Sequence, residues 1–306
     1  MGNYILQRIV SMVITLFVVI TLTFVLMHSI PGGPFTGEKK LPPEIERALI
    51  EKYHLDDPLW KQYTDYVTGI VQGDFGPSYK YKGQEVSDMI KEYFPVSAEL
   101  GGAAILVIII VGIPIGIVSA LKQGTWVDSL VMFFAILGVT IPAFVIATIL
   151  IYIFGLQLRA LPTSRWGTWQ HMIMPSIALA AYSMAFIARL TRSTMLEVIS
   201  QDYIRTARAK GLSESVVIYK HALKNALIPI VTYMGPMISG ILTGSFVIEK
   251  IFAIPGMGRM FVESISNRDY TVIMGVTIFD AAILVVIILV VDVLYGFIDP
   301  RIKIGE

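Results

Sequence analysis

The chain of 306 residues contains no cysteine, which excludes disulfide frameworks, iron–sulfur clusters, thiolate metal sites and cysteine nucleophiles. Charge is also scarce, because only 15% of the residues are charged, against about 25% in soluble globular domains. The net charge is +1, so the chain lacks the basic excess that is typical of nucleic-acid-binding proteins. The composition therefore disfavours both a conventional soluble enzyme and a nucleic-acid-binding protein.

Motifs for nucleotide binding and catalysis are missing as well. No lysine is followed by serine or threonine, so the chain has no Walker A phosphate loop. It has no G-x-S-x-G and no H-E-x-x-H, and its four histidines are widely separated: His28, His54, His171 and His221. We expect no catalytic residue, no metal site and no cofactor on this chain, and an intramembrane hydrolase is poorly supported.

Apolar residues are abundant, at 55% of the chain with a mean hydropathy of +0.70. A membrane-spanning helix needs about 20 mostly apolar residues, and six segments satisfy this condition: Ile9–Ile30, Val96–Leu121, Leu130–Leu156, Met172–Leu190, Ala226–Ile248 and Val272–Ile298. The fourth is the weakest, since it is short and contains Pro175. Because backbone groups in lipid must be satisfied internally, the sequence predicts an all-α integral membrane protein with a six-helix bundle.

The first apolar run differs from a cleaved signal peptide, although Arg8 precedes it. The run has about 22 residues, longer than a signal-peptide core, and no A-x-A site precedes Pro31. If the N-terminus lies on the cytoplasmic side of the membrane, the short cytoplasmic segments hold ten lysines and arginines and the short loops on the other side hold five. The positive-inside rule therefore predicts that both termini are cytoplasmic.

The long outer loop, residues 31–95, reads as a small helical cap after the first span (residues 1–30). Leu41-Pro42-Pro43-Glu44 and Asp57-Pro58 resemble helix starts, and a third short helix is expected over Glu85–Tyr93, ended by Pro95. We expect this cap to lie over the outer mouth of the bundle. A solvated loop without a partner is the alternative.

The inner loop within residues 191–225 has the pattern of a helix–glycine–helix hairpin. Asp202 is positioned to cap a short helix, Gly211 suits a left-handed C-terminal residue, and Ser213 is positioned to cap the next helix. The first limb is cationic, with Arg205, Arg208 and Lys210. From composition alone, an anchor for anionic headgroups explains these charges equally well.

Four stretches of sequence carry a resemblance to a known family. They are Tyr203–Leu212 with His221–Pro229; Pro34–Glu38, Leu41–Glu44, Lys52–Leu55 and Gly73–Ser78; Ile254–Gly258 with Asn267–Tyr270; and Asp292–Tyr295 with Asp299–Arg301. The chain resembles the permease subunits of ABC importers in the oligopeptide/dipeptide/nickel family, most closely the oligopeptide permeases. The resemblance extends over essentially the whole chain.

The inner loop departs from the general importer motif, in which E-A-A precedes the glycine. Arg205-Thr206-Ala207 stands there instead, and the later proline is displaced to Pro229. The peptide-permease branch carries this variant.

The resemblance implies that the chain is a non-catalytic permease subunit of an ATP-driven oligopeptide importer, with residues 96–306 as its core. The hairpin would be the coupling helix, seated in a groove of a separate ATPase. The residues expected to contact that ATPase are Asp202, Tyr203, Arg205, Thr206, Ala207, Arg208, Ala209, Lys210, Gly211 and Leu212. Partners implied are a second related permease, two ATPases that bind ATP and Mg²⁺, an extracytoplasmic peptide-binding protein, and membrane lipid.

The turn at Pro255, Gly256 and Gly258 is expected at the outer mouth, where it would contact the substrate or the binding protein; a simple tight turn is nearly as good an explanation. Dipeptides and nickel chelates are alternative substrates. A self-sufficient secondary transporter is a different class, which would need paired intramembrane charges. Asp280 and Asp292 are twelve positions apart, about 18 Å along a helix, too far for one site.

Overall fold

The computed structural model describes residues 2–31, 33–35 and 42–298, and its regular elements are helices throughout these ranges. They are α1 (Gly2–His28), α2 (Pro43–Lys52), α3 (Leu59–Val71), α4 (Val86–Leu121), α5 (Trp126–Thr140), α6 (Ala143–Gln157), α7 (Trp169–Ile199), α8 (Asp202–Ala209), α9 (residues 214–242), α10 (Phe246–Ile251), α11 (Met257–Asn267) and α12 (Tyr270–Ile298). The expected segments at Thr36–Glu38, Leu41 and Asp299–Arg301 lie outside the described residues.

Within the described part of the chain, five helices are long and apolar enough to cross a membrane, and a bent pair makes a sixth span if its two halves count as one. The predicted all-α membrane bundle is therefore confirmed. The start of the second span differs from the prediction, because α4 begins at Val86 and continues through Pro95. Proline removes one helical hydrogen bond, and both Pro95 and Lys91, whose carbonyl is released, are exposed. The predicted end of a short cap helix at Pro95 is wrong.

The third span, predicted over Leu130–Leu156, is broken. Helices α5 and α6 meet at an angle of 107° at Ile141 and Pro142. Ile141 is extended, with φ −82° and ψ 123°, because the residue before a proline is driven out of the helical region. The second half ends in a π-helical turn over Ile151–Gln157.

The fifth candidate span, Glu214–Ile251, contains the predicted segment, but its helix is interrupted within that segment. Helix α9 stops at Leu242 rather than Ile248, and the chain turns at Gly244, where φ is +99°. Only glycine adopts this conformation without strain. The short helix α10 follows the turn and carries the buried Glu249.

Helix α7, predicted from the weakest apolar segment, is the centre of the bundle. It runs for 31 residues and buries a series of small side chains: Ala178, Ala180, Ala181, Ala185 and Ala188. Neighbouring helices approach it through glycines, since a Cβ on Gly116 would lie 2.5 Å from the Ala188 carbonyl oxygen and one on Gly138 would lie 2.8 Å from the Ala185 Cβ. Such close approach is how helices pack in membranes, where lipid tails are as apolar as the side chains.

Candidate functional site

The predicted hairpin is present between α7 and α9. Helix α8 ends at Ala209, Gly211 has φ +77°, and Ser213 is the residue before the first turn of α9. One detail of the prediction is wrong, because Gln201 occupies the N-cap position and Asp202 is already the first helical residue. Helix α7 continues to Ile199, so the hairpin begins about nine residues after the start of the predicted loop at residue 191.

The root of the hairpin is packed inside the chain. Ile204 and Ala207 are buried in a cluster with Met195 of α7 and with Val217 and Ala222 of α9. Ala207 was expected to give close approach to a partner, yet it is only 6% exposed. Its side chain therefore has no surface to offer a partner, and it holds α8 against the bundle instead.

Polar contacts brace the two limbs across Gly211. The Arg208 guanidinium donates to both carboxylate oxygens of Glu214, at 2.6 and 3.1 Å, and this hydrogen bonding raises the pKa of the Arg208 side chain. The Asn225 amide donates to the Tyr203 hydroxyl at 2.8 Å. Together with the buried root, these bonds make α8 and the start of α9 one connected unit.

The remaining predicted coupling residues form an exposed surface. Arg205 makes only a long contact of 3.5 Å with Asp202, and Tyr203 and Leu212 are 43% and 40% exposed. The other exposed members are Thr206, Ala209, Lys210 and Gly211. This set combines positive charge, an aromatic ring and an apolar side chain on one projecting hairpin, which suits a protein–protein contact.

The turn at Pro255 is anchored by a buried carboxylate. Glu249 is fully buried and accepts hydrogen bonds from the Ser97 hydroxyl at 2.7 Å and from the Arg259 backbone N–H at 2.8 Å. A Cβ on Gly256 would lie 2.5 Å from the Glu249 carboxyl carbon, and one on Gly258 would lie 3.2 Å from its Oε2. Gly256 and Gly258 are therefore required for packing around this carboxylate.

Pro255 is the exposed member of the turn. It lines a cavity of about 250 Å³ whose walls also include Tyr81, Tyr93, Arg259 and Glu263. Of the three residues predicted at the outer mouth, Pro255 and Gly256 line this cavity, and Pro255 alone presents a side chain to it.

Two of the four stretches that carried the resemblance meet in space. Asp269 is fully buried, accepts a hydrogen bond from the Ser78 hydroxyl, and also accepts one from the Tyr79 backbone N–H at 3.1 Å. The Thr271 hydroxyl lies 2.8 Å from the Pro77 carbonyl oxygen. Burial and the neighbouring Asp269 raise the pKa of Tyr79 to about 12. These bonds attach the end of the cap to the start of α12.

Sequence reasoning missed a buried ion pair near the hairpin. Asp128 of α5 is bonded by Arg192 of α7 at 2.7 and 2.8 Å, by the Ser119 hydroxyl at 2.5 Å and by the Gly124 backbone N–H at 3.0 Å. Arg192 had been counted only as an inner positive charge. A lone aspartate at the start of an apolar run was the available signal, but its partner is 64 residues away.

Residues 112–304 match the family model described as "Binding-protein-dependent transport system inner membrane component", and residues 1–101 match the N-terminal model of the same kind of protein. The chain belongs to this family. It is thus a membrane-embedded permease subunit of a binding-protein-dependent transport system, as the sequence resemblance indicated.

Full-length relatives of the permease agree with this assignment. The "Dipeptide transport system permease protein DppB" of Bacillus subtilis is 51% identical over 306 residues, covering 100% of this chain and 99% of the relative. The "Oligopeptide transport system permease protein OppB" of Salmonella typhimurium is 47% identical over 305 residues, covering 99% and 100%. A DppB of Lactococcus lactis is 46% identical over 304 residues, covering 99% and 100%.

Proposed function

We propose that this permease subunit moves oligopeptides across the cytoplasmic membrane. The observation that carries the proposal is the similarity along the whole chain to permeases named for oligopeptide and dipeptide transport. Dipeptides are the second candidate, favoured by the 51% identity to the Bacillus subtilis DppB. Nickel chelates remain an alternative substrate, and this alternative rests only on the resemblance of the sequence to the oligopeptide/dipeptide/nickel family.

The proposed assembly contains a second related permease, an extracytoplasmic peptide-binding protein and two ATPase subunits, which hold ATP and Mg²⁺. The exposed face of the hairpin docks in a groove of one ATPase. The support for this role is mechanical: the buried root and the Arg208–Glu214 brace join α8 to α9, so a push on α8 is transmitted to the fifth span. A hairpin without these bonds would absorb the same push by bending.

We further propose that both termini and the hairpin face the cytoplasm and that the cap and the Pro255 turn face outward. The distribution of lysine and arginine in the short loops supports this orientation. The cavity beside Pro255 then opens on the side from which a binding protein delivers the peptide.

Two substitutions at Gly211 test the coupling role in the transporter reconstituted with its ATPases, second permease and binding protein. Proline fixes φ near −65° and cannot adopt +77°, so we expect Gly211→Pro to abolish peptide uptake and peptide-stimulated ATP hydrolysis while the complex still assembles. Alanine has open space at this position and costs only about 1–2 kcal/mol there. We expect Gly211→Ala to retain most of the uptake.

Unchanged uptake by Gly211→Pro would contradict the coupling role, and uptake by this chain without any ATPase would contradict its assignment to an ATP-driven importer.

The substrate is tested in a separate experiment. Unlabelled peptides of two to five residues, and nickel chelates, compete against a labelled tripeptide in the wild-type transporter. We expect peptides to compete and nickel chelates not to compete.

A further inference from the structure

Cap helix α3 lies beside the last two turns of α1 rather than beyond its end. The Thr21 and Tyr63 hydroxyls are 2.7 Å apart, the Phe24 and Tyr63 rings are 5.3 Å apart, and His28 Nε2 is 3.2 Å from Gln62 Oε1. Thr21 precedes the helix end at His28 by seven residues, which is about 10 Å along the helix. Helix α3 therefore occupies the same depth as the end of a membrane span.

The neighbouring part of α1 is apolar and exposed. Leu22, Val25 and Leu26 are 56%, 52% and 61% exposed, and α1 is one of the candidate membrane spans. This surface faces lipid tails in a spanning helix, since water would be excluded from it in the membrane. The lipid-facing surface of α1 thus continues up to the level at which α3 is attached.

Helix α3 has two distinct sides at helical spacing. Gln62, Tyr63 and Tyr66 point toward α1, and the adjoining edge carries Trp60 and Val71, which are 69% and 83% exposed. The opposite arc is polar and consists of Lys61, Thr64, Asp65 and Thr68. Trp60 and Val71 add to the exposed apolar surface of α1, and an extended apolar surface of this kind marks a site of contact with a membrane or another protein.

We propose that α3 lies in the membrane–water interface, with Trp60 and Val71 inserted between the phospholipids beside α1 and the polar arc in water. Amphipathic helices of this kind bury their apolar face at the boundary between headgroups and acyl chains. Tryptophan favours this layer because its ring is apolar while its N–H can donate a hydrogen bond. The partner of the Trp60–Val71 edge is the lipid bilayer, and the cap is held at a fixed height relative to the spans.

The absence of cysteine in the chain allows a single spin label to be placed in it. Three variants of the complete transporter carry the label on α3, Trp60→Cys, Val71→Cys and Asp65→Cys, and Val25→Cys on α1 marks the lipid-facing position. The transporter is reconstituted in liposomes of phosphatidylethanolamine and phosphatidylglycerol. Electron paramagnetic resonance then measures the accessibility of each label to oxygen, which concentrates in lipid, and to a water-soluble nickel complex.

We expect the labels at positions 60 and 71 to lie about 5–10 Å below the boundary of headgroups and acyl chains, and the label at 65 to lie in water. Nickel accessibility at 60 and 71 equal to that at 65 would overturn the proposal. Labels at 60 and 71 that are immobile and inaccessible to both reagents would also overturn it, because they would show that a protein covers the edge.

A second measurement keeps the proposal falsifiable if Trp60→Cys fails to assemble. A chain that retains Trp60 alone, with Trp126→Phe, Trp166→Phe and Trp169→Phe, is reconstituted with phospholipids brominated along the acyl chain. We expect bromine near the headgroup end to quench the Trp60 fluorescence more than bromine near the bilayer centre. No quenching by any brominated lipid would overturn the proposal.

Discussion

Asp128 shows how a single carboxylate holds three parts of the chain together. Its oxygens accept hydrogen bonds from the Arg192 guanidinium, the Ser119 hydroxyl and the Gly124 backbone N–H. The Asp128 side chain is 7% exposed and that of Arg192 is 24% exposed. Both oxygens of the Asp128 carboxylate therefore have hydrogen-bond donors. Removing the negative charge of Asp128 leaves the Arg192 guanidinium without its counter-ion.

We expect Asp128→Asn to lower the free energy of unfolding by about 3 kcal/mol. The reason is that the positive charge of Arg192 then stays in the bundle without a negative partner. Asp202→Asn is the matched control. Asp202 is 96% exposed and meets Arg205 only at 3.5 Å, so its loss is expected to change stability by less than about 0.5 kcal/mol. Unfolding in mixed detergent micelles measures both values, and equal losses would contradict the structural role of Asp128.

At the scale of elements, the hairpin is distinguished by contacts that face in two directions. Ile204 and Ala207 face the bundle, and Arg208 bonds Glu214 of the same hairpin. Arg205 is 73% exposed. Two arginines that look equivalent in the sequence therefore have different structural roles, one as an internal brace and the other as a surface charge.

Charge exchange separates these roles. Arg208→Glu alone and Glu214→Arg alone each place like charges across the turn, and we expect each to reduce ATP-driven uptake by about two- to fivefold, because exposed ion pairs contribute about 0.2–1 kcal/mol. The double variant restores an ion pair of reversed direction and is expected to recover most of the uptake.

The pair Asp202 and Arg205 provides the control for charge exchange. Since Arg205 is proposed to contact the ATPase, Arg205→Glu combined with Asp202→Arg is expected to remain as impaired as Arg205→Glu alone. Recovery of uptake in this control would contradict the role of Arg205 as a surface charge. Failure of the Arg208–Glu214 exchange to recover uptake would contradict the role of Arg208 as an internal brace. Uptake by the reconstituted transporter measures all five variants.

At the scale of the whole molecule, the bent pair α5 and α6 decides the topology. Its 107° angle is compatible by shape with a broken span or with a loop that enters and leaves on the same side. Both halves pack against the central helix α7, α5 through Gly138 and Ala185 and α6 beside Ala178. A crossing pair brings the total to six spans and places both termini on one side.

Single cysteines at Gln123 and Ser164 test this topology, because both residues are exposed and flank the bent pair. We expect a membrane-impermeant maleimide to label Ser164→Cys from outside intact cells and to label Gln123→Cys only after permeabilisation. The unsubstituted chain, which has no cysteine, controls for background labelling. Labelling of both positions from the same side would show that the pair re-enters and that the chain has five spans.

The sequence by itself determined the fold class, the approximate positions of the spans and the turn of the hairpin. These features follow from rules that act within about 20 residues: an apolar run long enough to cross the bilayer, and a glycine that accepts a left-handed conformation. Gly211 adopts the left-handed conformation that the second rule predicts, whereas Ser213 occupies the predicted N-cap position without a side-chain capping hydrogen bond. The local rules failed at Pro95 and Leu242, where a helix continued through a proline and another ended before the apolar run did.

Only the tertiary structure decided which residues meet. Ser78 bonds Asp269 across 191 positions, Ser97 bonds Glu249 across 152, and Arg192 bonds Asp128 across 64. The inward direction of Ala207 and the central place of α7 likewise depend on how helices pack. A single sequence carries no distance information between such positions, because packing is set by shape and contact among side chains that come together only when the bundle has formed.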